Sequence, residues 1–113
     1  MEARAQLRYY RSSPRKVRLV ADTVRGKPVE RALSSLRLSP RYAAHDIAKV
    51  IRSAVANLEQ KSPGLDSGKL VLKTIQVDQG PSLKRFKAAS MGRVFPRLHK
   101  YCHVTVHVAD REE

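Results

Sequence analysis

Four histidines, one cysteine and a few carboxylates are the residues whose chemistry could support catalysis or hold a metal. His103 and His107 share a strand face, but four residues along a strand separate them by about 13 Å. Two ligands of one zinc must each lie about 2 Å from the ion, and His99 and His45 offer no better spacing. Cys102 has no partner cysteine, which excludes an internal disulfide and fits a reducing cytoplasm. It reads as a small apolar core residue. Asp22, Glu30 and Asp46 sit in separate helical contexts and read as solvated or salt-paired groups. No Gly-rich phosphate loop, nucleophile elbow or paired-carboxylate spacing occurs. The sequence therefore implies no enzyme, no metal and no cofactor.

Positive charge is the chemistry that remains. The chain carries 23 Lys and Arg against 10 Asp and Glu, a formal charge of +13 over 113 residues. Such an imbalance favours a polyanionic partner. It is concentrated in "QGPSLKRFKAASMGRVFPRLHK" (79–100), where Lys84, Arg85, Lys87, Arg93, Arg97 and Lys100 stand without one acid. A second concentration surrounds "RSSPRKVRLVADTVRGK", with Arg15, Lys16, Arg18 and Arg25 on one face of a helix and Arg11 and Lys27 beyond its ends. Phosphate suits both sets, since each cation can neutralise charge. Phe86, Phe95 and Tyr101 could stack on bases. No apolar run approaches the roughly 20 residues of a spanning helix, and the N-terminus lacks the apolar block of a secretory signal. No membrane partner is expected.

The elements that must position these cations follow from periodicity. Residues 2–10 alternate, with Ala3, Ala5, Leu7 and Tyr9 on one face, as in a half-buried strand. Tyr9 is expected in the core, and Tyr10 is the candidate for an RNA stack. Ser13 and Pro14 give a cap and a first-turn proline. Val17, Val20, Ala21 and Val24 make that helix's apolar stripe, and Gly26 suits its end. Pro28 opens a second helix, with Ala32, Leu33 and Leu36 inward. Ser39-Pro40 repeats the cap signal before the longest helix, whose stripe runs through Ala44, Ile47, Ala48, Ile51, Val55 and Leu58. "KSPGLDSG" (61–68) is turn-rich. Strands follow at 69–78 and 101–109.

This pattern predicts an α+β fold. A three-stranded antiparallel sheet packs against three helices, with a long extended β-hairpin arm. One domain is expected, its globular body formed by 1–79 and 101–113 and its basic arm by 80–100. Apolar residues in the arm follow no sustained period. An isolated two-stranded ribbon is marginal in water, so the arm requires something to pack along it. A helix-turn-helix DNA regulator built on 13–60 is the alternative reading. It lacks an obvious recognition helix and has no use for the arm. An RNA-processing enzyme would require a general acid–base pair, which is missing.

"SPRKVRLVADTVRGK" (13–27), "AKVIRSAVAN" (48–57), "VDQGPSLKR" (77–85), "GR" (92–93) and "HVTV" (103–106) resemble the family of the twenty-second large-subunit ribosomal protein, in order and across residues 3–109. The resemblance implies a structural, rRNA-binding constituent of the large ribosomal subunit in the cytoplasm. Its arm would thread several RNA domains to line the nascent-peptide exit tunnel. Expected partners are large-subunit rRNA, neighbouring ribosomal proteins and the nascent peptide, with a role in assembly. The resemblance implies rRNA binding by Ser13, Pro14, Arg15, Lys16, Arg18, Lys84 and Arg85, and the charge of the two segments adds Arg11, Arg25, Lys27, Lys87, Arg97 and Lys100 to the expected rRNA-binding residues. The tip implied to line the tunnel is Ser90, Met91, Gly92 and Arg93. Many relatives carry Pro-Arg where Ala88 and Ala89 stand and Lys where Met91 stands, so this tip is less charged than usual.

Overall fold

In the computed structural model the element order is β1 (Glu2–Tyr10), α1 (Pro14–Val24), α2 (Val29–Leu38), α3 (Tyr42–Lys61), β2 (Leu70–Ala88) and β3 (Val94–Asp110). Short 3-10 turns lie at Ser67–Lys69 and Ser90–Gly92. The structure describes residues 2–64, 67–88, 90–92 and 94–110, by backbone alone at 67, 87, 90 and 94–97. The sheet order is β1-β3-β2, antiparallel throughout. The α+β expectation holds.

The core lies between one sheet face and the helices. Cys102, Val104, Val106 and Val108 are buried along β3. Ala3 and Ala5 flank them on β1, and Leu70, Leu72, Ile75 and Val77 on β2. Val17, Val20, Ala21 and Val24 of α1, Ala32 and Leu36 of α2, and Ile47, Ile51, Ala54 and Leu58 of α3 close over them. The helix stripes sit where the three- and four-residue spacing places them.

Ser13 caps α1, its hydroxyl accepting from the Lys16 amide at 3.4 Å. Buried Pro14 follows at the first helical position. Ser39-Pro40 behaves differently. Ser39 is the C-terminal cap of α2, its hydroxyl accepts from the Arg41 amide, and α3 begins only at Tyr42. The Ser39 backbone N–H closes the end of α2 on Leu36 O, and its side chain organises the connection instead of a helix start.

The two tyrosines exchange the places that alternation predicts. Between Leu7↔Val104 and Tyr10↔Cys102, β1 advances by three residues while β3 advances by two. The extra residue is a bulge. Tyr9 takes φ +56° there and is 63% exposed, whereas Tyr10 turns inward and packs on the core. The Tyr10 hydroxyl donates to Asp46 Oδ2 of α3 at 2.6 Å. Asp46 is thus a structural acceptor rather than a solvated acid.

Within the body, both outer edges of the sheet receive hydrogen bonds from neighbouring elements. At β2, the Leu72 amide donates to Lys27 O, and Arg25 Nη2 donates to Ile75 O. Arg18 Nε and Nη2 both donate to Val77 O, at 3.2 and 2.9 Å. At β1, Asn57 Nδ2 and Lys61 Nζ of α3 donate to Arg4 O and Glu2 O. Open strand edges invite pairing with other chains, and these contacts occupy them.

Beyond the body, β2 and β3 continue as one ribbon. After a bulge at Gly80-Pro81, Ser82↔Lys100 through Ala88↔Val94 pair in steady antiparallel register. The arm is a regular ladder although its apolar residues do not alternate. Strand alternation reports a buried face, and among the arm's described side chains Leu83, Phe86 and Leu98 are all exposed. A Cβ on Gly80 would lie 3.0 Å from the Tyr101 carbonyl oxygen, so this crossing from body to arm needs glycine. The ribbon stretches the molecule to 65 × 25 × 17 Å. Its radius of gyration is 17.3 Å, against about 13 Å for a compact chain of this length.

Replacing Arg18 by Met should lower stability by about 1 kcal/mol, because Val77 O loses its donors. Arg15→Met, on the same helix, should stay within about 0.5 kcal/mol of the native protein. Equal urea midpoints for the two variants would show that Arg18 does not hold the edge. Burial and then the bond to Asp46 push the Tyr10 hydroxyl above the ordinary tyrosine range. Its contribution is therefore complete below the unfolded value of 10.0 and declines as pH rises beyond it. Tyr10→Phe should destabilise by about 1 kcal/mol at neutral pH, with the gap to native protein narrowing under alkaline conditions. A gap that is constant or widens there would contradict the assignment.

Candidate nucleic-acid interface

The first turn of α1 gathers positive charge. Arg15 and Lys16 are exposed there, exposed Arg11 lies just upstream, and no acidic residue occupies that turn. Amide N–H groups already make a helix N-terminus positive, and cations placed beside it are unfavourable by about 0.3–1 kcal/mol each. The arrangement lowers helix stability in the free chain and suits an anion outside it. Ser13 and Pro14 build this terminus: one caps it and the other is buried beneath it.

Further along α1 the basic face divides. Arg18 and Arg25 aim guanidinium groups at the β2 edge, and Arg25 also pairs with Asp22. A guanidinium carries five N–H donors, so both retain capacity for an external acceptor. Lys27 is tied to β2 through its backbone carbonyl while its side chain stays exposed. Sequence periodicity could not separate these roles, because an RNA-facing arginine and an edge-holding arginine occupy the same helix face.

In the arm, Lys84 and Arg85 are exposed at its base, and Arg85 Nη1 donates to the Lys84 carbonyl. Lys100 is exposed opposite Ser82. Lys87 and Arg97 are placed by register, opposite Phe95 and Arg85. Arg85 and Arg97 therefore face each other directly across the ribbon. Like charges at directly opposed positions are destabilising. Among the described residues, Lys84, Arg85 and Lys100 make no ion pair.

At the tip, Ser90–Gly92 form a 3-10 turn, with Met91 at φ +65° and Gly92 at φ +73°. Met91 is 97% exposed. Arg93 and Ala89 lie outside the described residues. The structure thus separates the predicted residues into a helix-start cluster on the body and a file along the arm.

Tyr9 was missed by sequence reasoning. The bulge turns it out beside Arg8 and His103, where its ring meets the imidazole edge-on at 4.9 Å. No local signal marks the extra residue, since the pairing with β3 creates it.

Other chemistry finds little foothold. Among the described residues, no group of three or more His, Cys, Asp or Glu could hold a metal ion. Cys102 is buried, and burial pushes its thiol pKa up, away from a reactive thiolate. Among the described residues, no helix is long and apolar enough to cross a membrane.

Comparison with known proteins agrees with the resemblance carried by the motifs. Residues 5–109 match the family described as Ribosomal protein L22p/L17e. The Large ribosomal subunit protein uL22 of Myxococcus xanthus is 48% identical, with 100% of both chains covered. Its counterpart in Geobacter metallireducens is 50% identical over 98% of this chain and 100% of the relative. That of Anaeromyxobacter sp. is 53% identical over 90% of this chain and 71% of the relative. A match spanning nearly all of the chain, together with full-length relatives at this identity, places the chain in the Ribosomal protein L22p/L17e family.

Proposed function

We propose that this protein binds large-subunit rRNA through two surfaces, the start of α1 and the basic ribbon. Family membership makes it a structural constituent of the large ribosomal subunit in the cytoplasmic ribosome, not an enzyme. The finer reading assigns Arg11, Arg15 and Lys16, with the remaining donors of Arg18 and Arg25 and the ammonium of Lys27, to phosphates outside the body. It assigns Lys84, Arg85, Lys87, Arg97 and Lys100 to phosphates along the arm. In this reading the ribbon threads between RNA segments, aids their assembly, and brings Ser90–Gly92 and Arg93 to the exit-tunnel wall. There the tip meets the nascent peptide, while the body meets neighbouring ribosomal proteins.

The observation that carries this reading is the Arg85↔Arg97 register within residues 79–100, a stretch whose sequence contains no acid. The arm's described apolar side chains, Leu83, Phe86 and Leu98, are exposed, and its register opposes Arg85 to Arg97, so these contacts do not favour it. Phosphates on both sides turn that repulsion into attraction. The mechanism is electrostatic, and counterions are released as each cation meets a phosphate.

Replacing both Lys84 and Arg85 by Ala should weaken binding to large-subunit rRNA. It should also reduce the slope of log affinity against log salt by about 1.4–1.8, the value for two lost phosphate contacts. Binding measured across a salt series decides the matter. An unchanged slope would mean that these side chains do not meet phosphate.

A further inference from the structure

We infer that Tyr9, set against His103 at the foot of the arm, is a stacking platform for one unpaired nucleobase. The inference rests on the rRNA reading above and names a site within it.

The ring is exposed yet held. The bulge fixes its backbone in the left-handed region at φ +56°, which few residues other than glycine adopt. The Tyr9 amide donates to His103 Nδ1 at 3.0 Å, so its backbone is tied to the central strand. The imidazole meets the phenol edge-on, at an interplanar angle of 89°. The two rings therefore stand perpendicular with centroids 4.9 Å apart, and Tyr9 remains 63% exposed. An exposed aromatic held at its backbone and against a neighbouring ring loses little further freedom when a flat ligand settles on it. Nothing in the core needs it there, because Tyr10 fills the inward position.

The surrounding charges select a base over a phosphate. Arg8 and Arg11, both exposed, flank Tyr9 in sequence and suit a nucleic-acid backbone nearby. Asp78 stands opposite His103 on β2 and is exposed, which repels phosphate from the platform itself. A nucleobase is uncharged and offers N–H donors at its edge, so it tolerates that carboxylate. Unstacked bases in RNA loops are the usual ligands of exposed aromatic rings.

The test uses the full chain and large-subunit rRNA over a salt series. Tyr9→Gly removes the ring and also relieves the positive φ, so loss of folding does not confuse the result. It should lower affinity about 5- to 150-fold, the worth of one base–aromatic stack, with an unchanged salt slope. Tyr9→Phe, which keeps the ring, should bind like the native protein. Native affinity in Tyr9→Gly, a loss accompanied by a shallower slope, or failure of Tyr9→Phe to retain binding would each overturn the platform. Those outcomes leave the rRNA reading standing, whereas a native protein that binds no large-subunit rRNA would remove both.

Discussion

A β-ribbon whose described apolar side chains are exposed, and whose register opposes Arg85 to Arg97, gains little from its own contacts, and much of this molecule is arranged around that constraint. Backbone hydrogen bonds alone leave a two-stranded ribbon marginal, and the facing cations make it less stable still. The body answers at one end. The same β2–β3 ladder that closes the core runs outward to Ala88↔Val94, so the arm begins on strands already fixed by buried valines. Along the rest, Lys84, Arg85 and Lys100 stand exposed and, among the described residues, without an ion pair.

The sheet must survive as a small core while its two long strands project from it. A three-stranded sheet has two edges, and both are occupied by side chains of the covering helices. Arg18 and Arg25 reach β2, while Asn57 and Lys61 reach β1. The basic face of α1 consequently has two functions: part of it holds the sheet and part of it faces outward. Arg15 and Lys16 carry the outward charge at a helix terminus where charge of that sign is locally unfavourable. That local conflict is of the kind expected at a binding surface.

Most of the architecture was legible in the residues, and the exceptions have specific causes. Ala3 and Ala5, the α1 stripe and the β3 valines carry burial in their spacing, so period and place agree. Ser13-Pro14 marked a helix start correctly, but Ser39-Pro40 did not. A serine hydroxyl accepts a loop amide, as Ser39 does from Arg41, as well as a first-turn amide, as Ser13 does from Lys16, and only the tertiary path decides which. Tyr9 and Tyr10 exchanged places because an inserted residue depends on the register with Cys102, a partner some ninety positions away. The arm's regular ladder was hidden for the opposite reason. Alternation records a buried face, and the exposed Leu83, Phe86 and Leu98 leave no such record. Of the candidate interface, the file of arm cations was legible from composition. The edge-holding role of Arg18 and Arg25 was not, since it requires the position of Ile75 and Val77.

The most direct measurement is a density map of the large ribosomal subunit containing this chain. The account predicts a ribbon enclosed by rRNA, with Lys84, Arg85 and Arg97 within contact of phosphate oxygens on its two sides. An arm lying in open solvent, or folded back over α1 and α3 with those side chains directed at water, would contradict it.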